Sequence, residues 1–499
     1  MDHLIILPIV LPAMLAPLIV LAMRHDLGLQ RIFGLAGTIM LVALSLWLLV
    51  TTDAPQAYRL GNWPAPFGIV LVLDRLAALM LALTSILALF VQLYVMGTGW
   101  DARGKHFHTL FMFQLMGLNG AFLTGDAFNL FVFFEVLLIA SYGLMVHGAG
   151  QDRLRTGVQY VGFNLIGSTL FLFGLATIYA VTGTLNMADL AVKVASLPPG
   201  DAALVRVAGV MILIVFAIKA ALVPFQFWLP GTYANAPGPV AALFAIMTKV
   251  GAYAIIRIFT LIFPPTTPAT GTIFSDLLLP AAIITLVIGA IGTLGATTLP
   301  RLAAFAGIAS MGTIFLAVAS FTPEATAAAL YYLIHSTLAG ALLFLIADLI
   351  NDRRASPSLR SVLPPIAQSG LIASLFLIAA ISMAGMPPLS GFIGKLLILD
   401  ALRDSAPLVW TVILTTSLIL ILGFARAGST LFWKAHASDE TPVDHPPEPL
   451  AFTAVFLLTA SLALLTIFAG PVTDWLAQTA RQLHDPTAYI AATALKATP

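Results

Sequence analysis

Long apolar runs are the feature of this sequence that most restricts its fold. Stretches of apolar residues recur along nearly all of the 499-residue chain. About 20 such residues in a helix cross the roughly 30 Å hydrocarbon core of a bilayer. Only 9% of the residues are charged, whereas a soluble domain has about 25%. The sequence therefore predicts a protein that crosses a membrane many times.

The apolar runs predict helices rather than strands. No run shows the alternation of apolar and polar residues that is typical of a half-buried strand, and the polar connections are too short for soluble domains. We therefore predict an all-α polytopic membrane protein with about fourteen transmembrane helices. The predicted spans are 4–23, 32–51, 69–96, 107–123, 128–147, 160–182, 207–225, 238–263, 275–298, 302–321, 325–349, 368–400, 408–432 and 450–470.

Basic residues in the connections predict the orientation of the helices. About twelve lysines and arginines, including Arg31 and Lys105, fall on one side, and about six fall on the other side together with the C-terminal tail. Basic residues accumulate in short cytoplasmic loops. We therefore expect a multi-pass protein of the plasma (inner) membrane with both termini on the outer, periplasmic side.

Two predicted spans contain prolines that interrupt a helix. Pro224 follows Lys219 in the seventh span, and Pro387 and Pro388 precede Lys395 in the twelfth. Proline removes a backbone donor and clashes with the preceding turn, so we predict that helices 7 and 12 are broken. Broken helices in secondary transporters hold sites near the middle of the membrane.

Short sequence echoes predict an internal duplication. The echoes pair Ile139–Gly143 with Ile308–Gly312, and Tyr160 and Asn164 with Tyr331 and His335. Because the echoed units lie an odd number of spans apart, we expect two five-helix repeats that are inverted relative to each other. The predicted units are an N-terminal three-helix segment, a first repeat, a second repeat, and a last span with the C-terminal tail, at residues 1–106, 107–263, 264–434 and 435–499.

Five ionisable residues deep within predicted spans form the candidate site, and they are Glu135, Lys219, Lys249, His335 and Lys395. A charged side chain at mid-membrane is costly and is by default a functional hypothesis. Glu135 and Lys219 lower each other's cost when they pair, and opening of the pair favours release of the lysine's proton. Histidine exchanges protons near neutral pH, which suits His335 to a relay.

Structural interpretations of the same residues stay open at this stage. Lys249 and Lys395 can extend to a membrane interface, and His335 can bond a carbonyl of a neighbouring helix. The tryptophans that we expect in an interfacial aromatic belt are Trp100, Trp228, Trp410 and Trp433.

The remaining polar residues are given no chemical role. Arg257 is interpreted as an anchor, and Asp74 with Arg75 as a local pair or interfacial anchor as readily as part of an ion path. His106 and His108 are interpreted as part of a solvated loop rather than as a ligand pair. We expect no metal site, no cofactor and no nucleic-acid partner.

Several motifs in the spans carry a resemblance to a known superfamily. They are Phe131-Val132-Phe133-Phe134-Glu135, Ser141-Tyr142-Gly143-Leu144, Pro224-Phe225-Gln226-Phe227-Trp228-Leu229-Pro230, Ala236-Pro237, Lys249-Val250-Gly251 and Gly385-Met386-Pro387-Pro388. With these motifs the sequence resembles, over nearly its whole length, the proton-translocating antiporter-like subunits of respiratory complex I, membrane-bound hydrogenases and Mrp-type multisubunit cation/proton antiporters.

The resemblance implies a role for each of the five candidate residues. In that superfamily a fifth-span glutamate pairs with a seventh-span lysine, here Glu135 and Lys219. An eighth-span lysine and an eleventh-span histidine continue a hydrophilic axis that a twelfth-span residue ends, here Lys249, His335 and Lys395. The resemblance also implies a transporter subunit rather than an enzyme, with other subunits, the lipid bilayer, protons and Na⁺ or K⁺ as its partners.

Differences from the complex I motifs indicate which type of subunit in the superfamily the chain resembles. Gln226, Gly231 and Asn235 stand where complex I subunits usually have His, an acid and Glu, and together with Gly61–Gly68 they make the chain similar to the D-type subunits of Mrp antiporters. We expect a proton-translocating subunit of a multisubunit Na⁺(K⁺)/H⁺ antiporter that serves pH homeostasis. The alternatives are a proton-pumping subunit of complex I or a membrane-bound hydrogenase, and a structural subunit whose buried charges only hold helices together.

Overall fold

The computed structural model describes residues 2–198, 200, 202–354, 356–437 and 445–493. Helices make up most of this part of the chain. In chain order they are α1 (Leu7–Ala22), α2 (Leu27–Thr51), α3 (Arg75–Thr98), α4 (Phe107–Leu123), α5 (Ala127–Met145), α6 (Gln151–Thr182), α7 (Met187–Ser196), α8 (Ala203–Lys219), α9 (Trp228–Asn235), α10 (Gly238–Phe244), α11 (Met247–Leu261), α12 (Ile273–Gly295), α13 (Leu299–Val318), α14 (Pro323–Asp352), α15 (Ser369–Ala384), α16 (Ser390–Ala401), α17 (Ala406–Gly428), α18 (Pro449–Ile467), α19 (Ala469–His484) and α20 (Thr487–Thr493).

Ten helical segments in the described residues are long and apolar enough to cross a membrane. They contain α2, α3, α5, α6, α12, α13, α14, α17 and α18, together with the run of α10 and α11. Helices α1 and α15 are shorter but also apolar. The prediction of a polytopic, mostly helical membrane protein is confirmed.

A small antiparallel sheet shows that the expectation of an all-α chain was wrong in one place. Strand β1 (Gln56–Arg59) pairs with strand β2 (Val70–Leu73), in a region that the sequence assigned to the start of the third span. All residues of β2 are buried, and a short buried apolar run has no period that separates strand from helix. Helix α3 therefore begins only at Arg75, where Asp74 caps it by accepting from the backbone N–H of Ala77.

Short amphipathic helices occupy segments that were predicted as connections or tail. Asn186 caps α7, and Leu190 and Val194 on one face of this helix are buried. Helix α19 buries Leu476 and Leu483 in the same way. Because each helix is short and half polar, neither gives the long apolar run that identifies a transmembrane span.

Both predicted breaks lie between described helices. Helix α8 ends at Lys219 and α9 begins at Trp228, while α15 ends at Ala384 and α16 begins at Ser390. Each break leaves carbonyl groups at the end of a helix without their usual partner on the next turn. Lysine side chains therefore lie beside free helix ends in both places.

A third interruption, which the sequence did not predict, separates α10 from α11. Ala245 and Ile246 donate to carbonyls only three residues earlier, and the hydroxyl of Tyr233 donates to the carbonyl of Phe244 at 2.8 Å. No proline marks this site, which explains why the pattern missed it. The interruption lies just before Lys249 in the chain.

Glycines allow two pairs of helices to approach closely. A Cβ on Gly117 of α4 would lie 2.6 Å from the backbone nitrogen of Leu137 in α5, and a Cβ on Gly289 of α12 would lie 2.3 Å from that of Ala309 in α13. Gly120 faces Phe133 and Gly292 faces Phe305 in the same manner. Each residue in the first set of contacts is separated from its counterpart in the second set by the same number of positions along the chain. That register differs by three residues from the sequence echo, which aligns Leu137 with Ala306.

Candidate proton pathway

The pathway begins with Glu135 and Lys219, which are joined through one intervening helix. Lys219 is buried at the end of α8, and its Nζ donates to Oδ1 of Asn164 in α6 at 2.8 Å. One turn further along α6, the hydroxyl of Ser168 donates to Oε1 of Glu135. Among the described residues Glu135 and Lys219 form no direct ion pair; Asn164 and Ser168, one turn apart on α6, hold the two groups separately, an arrangement that we call the Asn164–Ser168 bridge.

The break after Lys219 is held by side chains as well as by backbone hydrogen bonds, in which Ala220 and Leu222 donate to the carbonyls of Phe216 and Ala217. The indole nitrogen of Trp228 donates to the carbonyl of Ile218 at 3.0 Å, and the hydroxyl of Thr285 accepts from the backbone N–H of Val223 at 2.9 Å. Trp228 is buried, so its interpretation as an aromatic-belt residue was wrong. It secures the helix end that carries Lys219.

A small cavity lies between Lys219 and the start of α11. It measures about 20 Å³ and is lined mainly by apolar side chains, among them Met247 and Val250 on either side of Lys249 in the chain, together with Tyr160, Asn164 and Lys219. That volume holds about one water molecule. A Cβ on Gly251 would lie 2.6 Å from the backbone nitrogen of Ala220, so a glycine at this position lets α11 approach the end of α8.

Lys249 is the residue of the set that has no partner in the described part of the chain. It is 2% exposed, so its ammonium is almost entirely removed from water. A buried ammonium without a partner is costly, and it therefore favours exchange of its proton with a neighbouring group or with water. Extension to an interface, the structural alternative, does not fit this burial.

His335 connects the middle of the pathway to its last segment. It is fully buried in α14, which packs against both α10 and α16. Its Nδ1 lies 2.9 Å from the hydroxyl of Ser390, the first residue of α16. Its Nε2 has no hydrogen-bond partner in the described residues and faces Gly391, where a Cβ would lie 2.8 Å away.

Lys395 ends the pathway at the second helix break. Its Nζ donates to the carbonyl of Ala384 and to the hydroxyl of Ser417, both at 2.8 Å. The ammonium thus lies at the C-terminal end of α15, where the helix dipole favours positive charge. Gly385 has a φ of 78°, and a Cβ on it would lie 2.6 Å from Cδ of Lys395, so both backbone and packing require glycine.

The structure therefore brings the five predicted residues into one buried series of helices. The neutral residues that complete the series were missed by the sequence interpretation, and they are Asn164, Ser168, Ser390 and Ser417. Only Asn164 had a signal, since it appeared in the sequence echo. Ser and Thr are common in membrane helices, so the serines have no signature that singles them out.

Several residues outside the series have roles that differ from the expected ones. Asp74 pairs with Arg257 through two hydrogen bonds of 2.6 and 2.7 Å in the protein interior, so Arg257 is not an interfacial anchor. Arg75 instead contacts Asp53 at 3.0 Å near the surface. His108 is fully buried, and its interpretation as part of a solvated loop was wrong.

Comparison with known proteins identifies the family. A sequence profile described as NADH:quinone oxidoreductase/Mrp antiporter, TM, matches residues 124–420. The chain belongs to this family. It is 39% identical to the D-type subunit of a probable K(+)/H(+) antiporter from Rhizobium meliloti strain 1021, covering 98% of this chain and 97% of that protein.

Two further proteins of the NADH:quinone oxidoreductase/Mrp antiporter family agree with this result. The D-type subunit of the Na(+)/H(+) antiporter from Bacillus subtilis strain 168 is 38% identical, with 99% of each chain covered. In the solved structure of the Mrp complex from Dietzia sp. DQ12-45-1b, one chain superposes with a TM-score of 0.89 at 28% identity, covering 99% of this chain and 100% of that one. The prediction of a D-type subunit of the Mrp class is confirmed, and the redox-pump alternative has less support.

Proposed function

We propose that this D-type subunit carries the proton path of a multisubunit antiporter, in which inward movement of protons drives Na⁺ or K⁺ outward. The relatives that match end to end are named as K⁺/H⁺ and Na⁺/H⁺ antiporter subunits. The observation that carries the proposal is the series of ionisable groups from Glu135 to Lys395, four of which are bonded by neutral side chains while Lys249 has no partner in the described residues.

The first step of the path is exchange between Lys219 and the cavity beside it. Asn164 holds the Lys219 ammonium at 2.8 Å, while Glu135 is held separately by Ser168. Movement of Lys219 toward Glu135 favours its charged form, and movement toward the cavity favours release of a proton to one water molecule. Lys249 is the next buried acceptor, because its helix contacts the end of α8 through Gly251.

The second half of the path runs from Lys249 through His335 to Lys395. A histidine can accept a proton on one ring nitrogen and release one from the other. Nδ1 of His335 is bonded to Ser390, and Nε2 faces the space beside Gly391. Ser390 and Lys395 lie on the same helix α16 but share no hydrogen bond in the described residues, so transfer of a proton from His335 to Lys395 requires a transient water wire.

Replacement of Lys219 tests this function. Lys219→Ala in the assembled complex should abolish cation-dependent dissipation of a pH gradient in everted vesicles, because the first proton carrier is removed. Lys193→Ala is a matched control on the surface helix α7, where the lysine is 43% exposed beside Asp189, and it should leave exchange unchanged. Full exchange by Lys219→Ala at normal complex abundance would refute the role of Lys219.

We also propose about fourteen crossings and two inverted repeats, at residues 107–263 and 264–434, between the segments 1–106 and 435–499. In this arrangement α8 with α9, α10 with α11, and α15 with α16 each count as one interrupted crossing. The common offset of the glycine contacts in the two helix pairs supports the duplication. With inverted repeats, the two helix breaks lie at opposite ends of the proton path.

The proposed orientation puts both termini outside the cell. The chain contains no cysteine, so single cysteines can be introduced without a background. Thr487→Cys, at an exposed position, should react with an impermeant maleimide in intact cells, whereas Lys105→Cys, also exposed, should react only in everted vesicles. The opposite labelling pattern would reverse the orientation.

A further inference from the structure

A second line of buried polar side chains lies outside the central path, between helices α2, α3 and α4. On α2 its members are seven residues apart, at Arg31, Thr38 and Ser45. A spacing of seven keeps residues on nearly one face of a helix, with a rise of about 10 Å per step. Thr38 bonds Gln92 of α3 at 2.6 Å, and Ser45 contacts Ser85 of α3 at 2.5 Å.

The end of this line nearest the surface is a charged cluster. Arg31 donates two hydrogen bonds of 2.7 Å to Asp101, and Nε2 of His108 lies 3.0 Å from the same carboxylate. Burial by itself raises the pKa of Asp101, but hydrogen bonds from Arg31 and His108 outweigh it and lower that pKa to about 2. Asp101 therefore remains a fixed negative charge beside the His108 ring.

Two buried polar atoms deeper in the line have no hydrogen-bond partner in the described residues. They are Nδ1 of His108 and Nε2 of Gln92. Both face the space above Gly34, where a Cβ would lie 3.2 Å from the first atom and 2.7 Å from the second. Buried polar side chains in proteins are nearly always bonded, so a pair of unbonded atoms at one point indicates a site for a mobile proton or water.

The hydroxyl of Thr38 lies close to more hydrogen-bond acceptors than it can bond. It lies 2.9 Å from the carbonyl of Gly34 and 2.6 Å from Oε1 of Gln92, but a hydroxyl has one proton to donate. The two orientations of the Gln92 amide resolve this conflict in different ways, because oxygen and nitrogen of an amide exchange places when it turns over.

Each amide orientation matches one protonation state of His108. With neutral His108, the Gln92 oxygen accepts from Thr38, while the Gln92 amide nitrogen and Nδ1 of His108 both face the space above Gly34 without a hydrogen bond in the described residues. With protonated His108, Nε2–H donates to Asp101 and Nδ1–H donates to the Gln92 oxygen, while the amide nitrogen donates to Thr38 and the Thr38 hydroxyl turns to the Gly34 carbonyl. Gain of one proton at Nδ1, together with this turn of the amide, thus gives a partner to both groups that lack one in the described residues.

We propose that His108 is a proton-binding site, and that Asp101, His108, Gln92 and Thr38 form a relay that brings protons from the side of residues 99–106 into the N-terminal helices. This second proton line rests on the proposed function, because it serves a subunit that moves protons. It lies outside the series from Glu135 to Lys395 and is formed by a different group of helices, α2, α3 and α4.

Charged and titratable groups around His108 are consistent with this role. Asp101 and Arg31 face one ring nitrogen. His147, just after α5, contacts Phe107 next to His108, and its Nε2 donates to the carbonyl of Trp100 at 2.9 Å. Arg153 donates to the carbonyl of His147 at 2.8 Å. Asp348, a second carboxylate nearby, accepts from the indole nitrogen of Trp100 at 2.9 Å, whereas Asp101 is the carboxylate that contacts the His108 ring, so protonated His108 depends on Asp101.

The test compares two histidines that are two residues apart. His108→Gln keeps an amide that can bond Asp101 but cannot take up a proton, and it should lower the exchange rate in everted vesicles by roughly 100-fold and remove one step from its pH profile. His106→Gln, at an exposed position, should behave as the wild type. Gln92→Leu keeps the charged cluster and should also slow exchange, because the relay beyond His108 is lost.

The outcomes separate this proposal from the proposed function. Wild-type rates and pH profiles for both His108→Gln and Gln92→Leu, at normal complex abundance, would overturn the second line even if Lys219→Ala abolishes exchange. Exchange by Lys219→Ala at the wild-type rate would instead overturn the central path. If His108→Gln fails to assemble, a wild-type pH profile for Gln92→Leu is sufficient to overturn the relay.

Discussion

The lysines of the central path differ in what holds them, and this difference sets their roles. Lys219 and Lys395 each donate to neutral oxygen acceptors at 2.8 Å, whereas Lys249 has no partner in the described residues. A neutral acceptor stabilises an ammonium less than a carboxylate does. The proposed path therefore requires charges that are held weakly enough to be lost and regained, which a tight ion pair such as Asp74 with Arg257 does not permit.

Asn164 is the residue whose change should most directly affect Lys219. Asn164→Leu removes the only described side-chain acceptor of the Lys219 ammonium, at a cost of about 1–3 kcal/mol to its charged form. A cost of about 1.4 kcal/mol corresponds to a factor of ten, so we expect exchange in everted vesicles to fall at least about tenfold. Gln159→Leu, exposed on the same helix, should have no effect, and equal rates for the two variants would contradict the bridge.

Sequence patterns located the charged residues of the site but not their neutral partners. A lysine or glutamate within an apolar run can be recognised from the sequence alone, because placing its charge in the membrane is costly whatever the helix packs against. Ser168 and Ser417 become significant only through the helices that face them. The buried role of Trp228 was hidden for the same reason, since a tryptophan near a helix end fits an aromatic belt equally well.

The interrupted helices are the elements that position the path. Lys219 lies at the end of α8, Lys249 follows the interruption between α10 and α11, and Lys395 reaches back to the end of α15. Prolines predicted the first and third of these sites. The second arises from the Tyr233 hydroxyl on the Phe244 carbonyl, a tertiary contact that no local pattern contains.

Gly391 should be the glycine on which the second break depends most. A Cβ there would lie 2.0 Å from the carbonyl of Ser382 and 2.8 Å from Nε2 of His335, and overpacking of this kind costs about 1–3 kcal/mol. Gly391→Ala should lower the melting temperature of the purified complex. Gly307→Ala, in α13 with no atom within 4 Å of its Cβ, should be neutral or should raise stability by about 0.5–1 kcal/mol.

One result for the two glycine variants would contradict this packing. A melting temperature for Gly391→Ala equal to that of Gly307→Ala would show that α16 can move away from α14 without cost. In that case His335 and Ser390 would not be held in the relation that the path requires.

On the scale of the whole molecule, long apolar helices surround the polar series from Glu135 to Lys395 and a second polar line between α2, α3 and α4. Hydropathy predicted the class of fold because each crossing needs a long apolar run. It did not predict the small sheet or the amphipathic helices α7 and α19, since these depend on packing against neighbours rather than on membrane thickness. The duplication was visible as an echo, but contacts between the helix pairs shift its register by three residues.

The central claim is that the buried charges serve proton movement rather than helix packing. Replacement of Lys249 best distinguishes these two roles. Because Lys249 has no described partner, Lys249→Met leaves no other group unpaired and removes a charge whose cost at mid-membrane is about 2.5–3.5 kcal/mol. Complex stability should therefore be unchanged or higher.

The decisive measurement is cation-dependent proton exchange in proteoliposomes that contain the purified complex with Lys249→Met, beside Lys193→Met as the matched control. We predict that the Lys249→Met complex assembles with a melting temperature at or above that of the wild type and exchanges no protons above background, while the control exchanges normally. Exchange at the wild-type rate by fully assembled Lys249→Met complex would contradict the proton path.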